Sequence, residues 1–306
     1  MPAATTTVPP APGALLAGAI DYAGLFPPAG LEMPAAVGNF LAYRAGPDAW
    51  ALGRFVVPVA WLAELELALR RCAARRMGRV PLSALVGPGT ADEVDAIEVF
   101  NRRAPEHGAR IGAVEVKAGS AGVVRAVLAA LPRSWIRYIE VPVGDDPDAV
   151  AVALDAIVAG GAFAKVRTGG TVPDAIPPPG RLAAFLAALA LRNLPFKATA
   201  GLHHPIRGEY PLGYEPGAPT GVMYGYLNLM LAAAVLHAGF GEDRARAALA
   251  EDDPGALRLD ADALHWKDAH FGPAELATMR DAFFHGFGSC SFREPLDQLL
   301  RPPRRR

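Results

Sequence analysis

Short apolar, β-branched runs alternate along most of the chain with longer Ala- and Leu-rich stretches of helical period. The runs Ala19–Tyr22, Arg54–Val57, Leu82–Val86, Ile111–Lys117, Ile136–Val141, Ala162–Arg167 and Pro195–Ala200 predict strands. Between them, Trp61–Arg76, Ala91–Arg103, Ala121–Leu131, Pro147–Ala159 and Arg181–Leu191 predict helices. Pro147 suits a first helical position, where its missing N–H costs nothing. Such alternation means parallel strands joined by crossover helices. Seven units, with an eighth strand placed at Phe283–Gly288, predict an α/β fold of the (β/α)8 TIM-barrel type. An open doubly wound sheet is the competing arrangement, but no G-x-G-x-x-G turn follows the first strand.

The regularity breaks after Gly201. His203–Thr220 is rich in Pro, Gly and Tyr and predicts a long loop, followed by helices over Gly221–His237, Glu242–Glu251 and Pro273–Phe284. The expected layout is a disordered leader over residues 1–14 and a single barrel domain over 15–301, ending in a basic tail over 302–306. A loop and helical insertion at about 203–282 separates strands 7 and 8. Val222–Phe240 carries no charged residue, yet Tyr224, Tyr226, Asn228 and His237 favour a core helix over a membrane span.

Composition narrows the partners. With 52% hydrophobic residues the chain buries a sizeable core, and a net charge of -1 gives no electrostatic case for nucleic acid or an anionic membrane. Two cysteines, Cys72 and Cys290, exclude a disulfide scaffold and suit a cytoplasmic location. A homo-oligomer is left open.

Of 30 basic residues, only Lys117, Lys165, Lys197 and Lys267 are lysine. Arg cannot lose its proton, whereas Lys can become a nucleophile, so a bias toward Arg leaves Lys most visible where amine chemistry is needed. Three of the four fall at the ends of expected strands 4, 6 and 7. Strand alternation puts Glu115 with Lys117, Tyr138 with Glu140, Lys165 with Arg167, and Lys197 with Thr199. The opposite faces are apolar and suit the helix ring, so the charged faces point into the barrel. Charges at strand C-terminal ends there are candidates for catalysis. A structural Glu115–Lys117 ion pair is the bland alternative. Lys117, Lys165, Arg167 and Lys197 against Glu115 and Glu140 leave an excess of two positive charges. Clustered cations favour a neutral lysine and attract an anionic ligand.

Ala164-Lys165-Val166-Arg167-Thr168-Gly169-Gly170 resembles the sixth-strand segment of class I deoxyribose-phosphate aldolases, and Pro195-Phe196-Lys197-Ala198-Thr199-Ala200-Gly201 is similar to their seventh. Ile139-Glu140-Val141 resembles their fifth strand, and Phe287-Gly288-Ser289-Cys290-Ser291 their phosphate-binding turn. The resemblance covers about a quarter of the chain. It implies a barrel lyase with Lys165 as Schiff-base nucleophile, Lys197 as the perturbing lysine, and Gly169, Gly170, Ser289 and Ser291 near the substrate. The family's strand-4 aspartate has no clear counterpart, and His203-His204-Pro205 follows Ala200-Gly201 where a glycine pair stands in the family.

The resulting expectation is a Schiff-base lyase acting on a small anionic carbonyl compound through Lys165, with no cofactor and no metal. Glu140 is the first choice for proton transfer and Glu115 the second. Arg167 and Lys117 are expected to contact the anion, with His203 and His204 on the substrate and Asp21 orienting a hydroxyl or capping a turn. Cys290 reads as a small buried thiol, since no activating base is identifiable. Two alternatives stand beside this: a metal-dependent barrel lyase or isomerase using His203, His204 and carboxylates, and a noncatalytic anion or sugar-phosphate binding protein.

Overall fold

The computed structural model describes residues 8–72, 74, 78–87, 91–144 and 146–300. Its strands in chain order begin with β1 (Ile20–Tyr22), β2 (Leu52–Pro58), β3 (Val80–Val86) and β4 (Ala109–Lys117). Then come β5 (Ile136–Glu140), β6 (Phe163–Arg167) and β7 (Phe196–Thr199). Five short strands follow: β8 (Gly208–Pro211), β9 (Thr220–Met223), β10 (Leu257–Leu259), β11 (Leu264–Trp266) and β12 (Ala269–Phe271). The last is β13 (Phe284–Ser289). Strands β1 to β7 and β13 close into an eight-stranded barrel in which every neighbouring pair is parallel. The (β/α)8 expectation is met.

Helices between consecutive strands include Met33–Ala45, Leu62–Arg71, Ala91–Arg102, Ala121–Ala130, Pro147–Ala159 and Pro179–Ala190. Local chemistry starts several of them. The Asp146 carboxylate accepts from the N–H groups of Asp148 and Ala149, with Pro147 at the first helical position. Outward-facing Val114, Val116, Ile139, Ala164, Val166 and Ala198 are buried, so strand parity and the helix ring agree.

Three differences from the sequence expectation stand out. Pro10–Leu16, placed mostly in the leader, is a helix that buries Ala11, Pro12, Leu15 and Leu16 and packs on Pro273–Ala282. Its apolar face reaches a core that the Pro-rich composition concealed. Residues 1–7 and 301–306, including the expected basic tail, lie outside the described residues.

The insertion holds more than loop and helix. A β8–β9 hairpin, the helices Tyr226–His237 and Glu242–Ala250, and an antiparallel β10–β11–β12 sheet precede Pro273–Ala282. Lastly, the helix expected from Gly221 begins at Tyr226, because Thr220–Met223 pairs with β8. Tyr226–His237 is apolar on every side and buried between helices, as that pattern requires. Its buried Asn228 amide donates to the carbonyls of Ala248 and Glu251 and accepts from Arg207 N–H, tying the insertion together. Among the described residues no helix is long and apolar enough to cross a membrane.

Candidate active site

Lys165 and Lys197 are register partners on β6 and β7, and Glu140 on β5 is the partner of Lys165 on its other side. Their side chains meet inside the C-terminal end of the barrel, where TIM-barrel active sites lie. Lys165 Nζ lies 2.8 Å from Glu115 Oε2 and 2.8 Å from Glu140 Oε2. Lys197 Nζ lies 2.5 Å from Asp21 Oδ2 and 2.7 Å from Glu115 Oε1. Glu115 thus joins the two ammonium groups, one on each oxygen. Ser83 Oγ also donates to Glu115 Oε1 at 2.7 Å.

Asp21 is held by its own strand junction. Arg54 N–H donates to Asp21 Oδ1 at 2.6 Å, and a Cβ on Gly53 would come within 2.3 Å of that oxygen. Glycine there lets the carboxylate cross β2 toward Lys197. Asp21 is therefore an ion-pair partner of Lys197 rather than a turn cap.

This changes the charge count. Buried at the mouth are two lysines against three carboxylates, Asp21, Glu115 and Glu140. The expected repulsion between uncompensated lysines is corrected, because Glu115 stands between them. Burial pushes the Lys197 ammonium toward deprotonation, but Asp21 and Glu115 outweigh it and hold the group protonated well above the usual lysine range. Burial raises Glu115, and the two lysines more than reverse that, leaving the carboxyl well below the usual range. Glu140 is shifted down in the same way, chiefly by Lys165.

One residue pair farther along, the surroundings turn to solvent. Arg167 Nε approaches Glu140 Oε1 at 3.2 Å and Lys117 Nζ the same oxygen at 4.0 Å, both from exposed positions at the rim. Lys117 faces a neighbouring depression with Glu140 and Arg167, apart from the main cavity. The Glu115–Lys117 pair weighed above does not form; each takes a different partner.

The main cavity, of about 420 Å³, is lined by Glu115, Lys165, Lys197, Arg167 and Gly170 from the barrel. That volume suits a small molecule. Gly169 sits against Gly201, where an added Cβ would be 3.1 Å from the Gly201 Cα, and Gly201 has a φ of +76°. The close approach brings the loops after β6 and β7 together. Ala200 beside it adopts a φ of 67°, and Thr168 Oγ1 donates to its carbonyl at 2.7 Å.

His203, His204, Tyr214, Cys290 and Glu294 complete the wall. The His203 ring donates from Nδ1 to Glu294 Oε2 at 3.1 Å, and its Nε2 lies 3.8 Å from Cys290 Sγ. Burial lowers His203, but its contacts with Cys290 and Glu294 prevail and lift it to about 9. His204 donates to Gln298 Oε1 at 2.9 Å and stacks on Tyr210 with centroids 3.5 Å apart. Each imidazole is turned to its own partner, and among the described residues no group of three or more His, Cys, Asp or Glu is placed to hold a metal ion.

Two sequence readings are corrected here. Cys290 does have a base beside it, supplied by the loop after β7. Ser289 and Ser291 do not line the cavity: Ser291 Oγ accepts from Glu294 N–H at 3.1 Å at the start of helix Arg293–Leu300, and Ser291 N–H turns to Ser289 Oγ. Ser83, Tyr214 and Glu294 escaped the sequence reading. Strand parity on β3 pointed to Ser83, whereas no local pattern marks the other two.

Comparison of the sequence with protein-family models and with curated proteins finds no significant match.

Proposed function

We propose that the protein is a Schiff-base lyase of the class I aldolase type, acting on a small anionic carbonyl compound through Lys165. The observation that carries this is a pair of lysines buried side by side in one cavity and bridged by Glu115. Lys197 is held as a cation by Asp21 and Glu115. Lys165 has a carboxylate oxygen of Glu115 and one of Glu140 within 2.8 Å, each able to accept the proton that a nucleophilic amine must shed. Neutral Nζ then adds to the carbonyl carbon, and the carboxylic acid so formed protonates the carbinolamine oxygen. A second proton passes from the nitrogen to that oxygen through a carboxylate, so that water leaves as the C=N bond forms. The protonated imine accepts the electrons of the bond between its α and β carbons as a carboxylate takes the β-hydroxyl proton, so that an aldehyde leaves. The remaining enamine is protonated at the α carbon and hydrolysed to free Lys165. Arg167 at the rim suits an anionic substituent. The resemblance of the β5, β6 and β7 segments to class I deoxyribose-phosphate aldolases supports the same assignment.

Borohydride reduction in the presence of small aldehydes, ketones and keto acids tests it. The expected result is a mass increase on the peptide containing Lys165, lost in Lys165→Met. Label confined to Lys267, which lies 3.6 Å from Glu251 in the insertion, would sink the reading. Ligand-induced stabilisation without turnover would favour the binding-protein alternative.

A further inference from the structure

Cys290 leaves β13 at the C-terminal end of the barrel and is buried against the same cavity as Lys165. Its surroundings differ from those of an inert core thiol, which needs only apolar neighbours. Sγ has two polar atoms in reach: His203 Nε2 at 3.8 Å and Tyr214 Oη at 3.7 Å. Both partners are fixed by one carboxylate oxygen. His203 Nδ1 donates to Glu294 Oε2 at 3.1 Å, and Tyr214 Oη donates to it at 2.9 Å. With Nδ1–H committed to Glu294, Nε2 is the nitrogen turned to the thiol. A nucleophile, a base and a carboxylate that orients the base are therefore aligned. With Tyr214 they come from four separate places: the loop after β7, the β8–β9 connection, the end of β13 and the helix Arg293–Leu300. Cys72, by contrast, is exposed on the surface.

We propose that Cys290, His203 and Glu294 form a second nucleophilic centre that takes up the carbonyl carbon of a small aldehyde reversibly as a thiohemiacetal. The proton shared between Cys290 Sγ and His203 Nε2 rests on the imidazole as sulfur attacks. Sγ bonds to the carbonyl carbon as the C=O π pair moves onto oxygen, and His203 returns the proton to that oxygen. No oxidant or reductant is consumed, and the reverse sequence frees the aldehyde. The cavity then offers two covalent attachment points for carbonyl carbons. The proposal stands independently of the role given to Lys165.

Two measurements on the full chain test it. Glycolaldehyde labelled with 13C at the carbonyl carbon should give a thiohemiacetal resonance in the native protein, absent from Cys290→Ala. An imine carbon resonates well apart, so failure at Lys165 and failure at Cys290 are told apart in one spectrum. A missing thiohemiacetal signal in the native protein, or one that survives in Cys290→Ala, overturns the proposal. Iodoacetamide at pH 6 should alkylate Cys290 faster than Cys72 by on the order of tenfold despite its burial, because His203 Nε2 stands beside its sulfur to hold the proton. His203→Asn and Glu294→Gln should each remove that excess. Equal or slower alkylation of Cys290 in the native protein counts against it, and this comparison needs no variant to fold.

Discussion

Glu115 and Lys117 sit on the same face of β4, two residues apart, and meet opposite surroundings. The Glu115 side chain is 3% exposed and joined to two lysines, while that of Lys117 is 73% exposed and 4.0 Å from its nearest carboxylate. Strand β6 repeats the contrast, with Lys165 at 6% and Arg167 at 43%. Side-chain alternation selects the face but leaves the height along the barrel axis open. Height decides the physics. At the inner level, charges are desolvated and each needs its partner; at the rim, water screens them and leaves them available to a ligand.

The largest expected effect comes from breaking the inner level. Glu115→Gln removes the carboxylate shared by Lys165 and Lys197 and leaves two buried cations with one partner each. Loss of one member of a buried ion-pair set costs about 3–5 kcal/mol, which denaturant unfolding should register as a large drop in midpoint. Lys117→Ala should leave the midpoint where it is. Equal losses in the two variants would mean that height is not what separates these residues.

Acid titration sharpens the same contrast. Glu115 and Glu140 ionise in the folded protein below their ordinary range, so their contribution is present above about pH 4.5 and is lost as pH falls further. His285, one level below the lysines, accepts no proton easily: burial, with Arg280 and Arg54 nearby, lowers it to about 4. Its Nδ1 is 3.0 Å from Tyr138 Oη, and Phe163 packs edge-on against the ring. A lowered histidine also contributes fully above about pH 6.5 and loses that contribution as pH falls toward 4. Thermal unfolding followed from pH 7 to 3 should therefore show an upper decline that His285→Phe removes and a lower one that Glu115→Gln reduces. On the alkaline side Lys197, raised in the fold, keeps its contribution through about pH 10.5 and loses it only above. An acid profile unchanged in both variants would contradict this assignment.

What the chain disclosed in advance divides along the same line. The eight barrel strands were legible because β-branched runs and helical periods alternate over most of the length, and parity correctly turned Lys165, Lys197, Glu115 and Glu140 inward. The partnerships were not legible. Asp21 reaches Lys197 across 176 residues, a pairing set by barrel closure between β1 and β13, which no local pattern carries. His203, Tyr214, Cys290 and Glu294 converge for the same reason, since the insertion has to fold back over the mouth before they meet. The short strands β8 to β12 were missed because three or four residues give too little periodicity to separate from loop.

The smallest expected effect concerns the rim. Arg167 and Lys117 converge on Glu140 from solvent, so their charges are only partly neutralised there. Of these two cations Arg167 is the one that lines both the main cavity and the neighbouring depression. Inorganic phosphate is expected to bind weakly, measured by calorimetry, and Arg167→Ala should weaken it by on the order of tenfold, the scale of one charge-assisted contact. Raising ionic strength from about 0.05 to 0.5 M should weaken it further, since screening acts over roughly 10 Å at 0.1 M. The unfolding midpoint of Arg167→Ala should stay close to that of the native protein. Phosphate binding that survives both the substitution and the salt would place the anion at the inner lysines, and the division of labour between the two levels would then have to be redrawn.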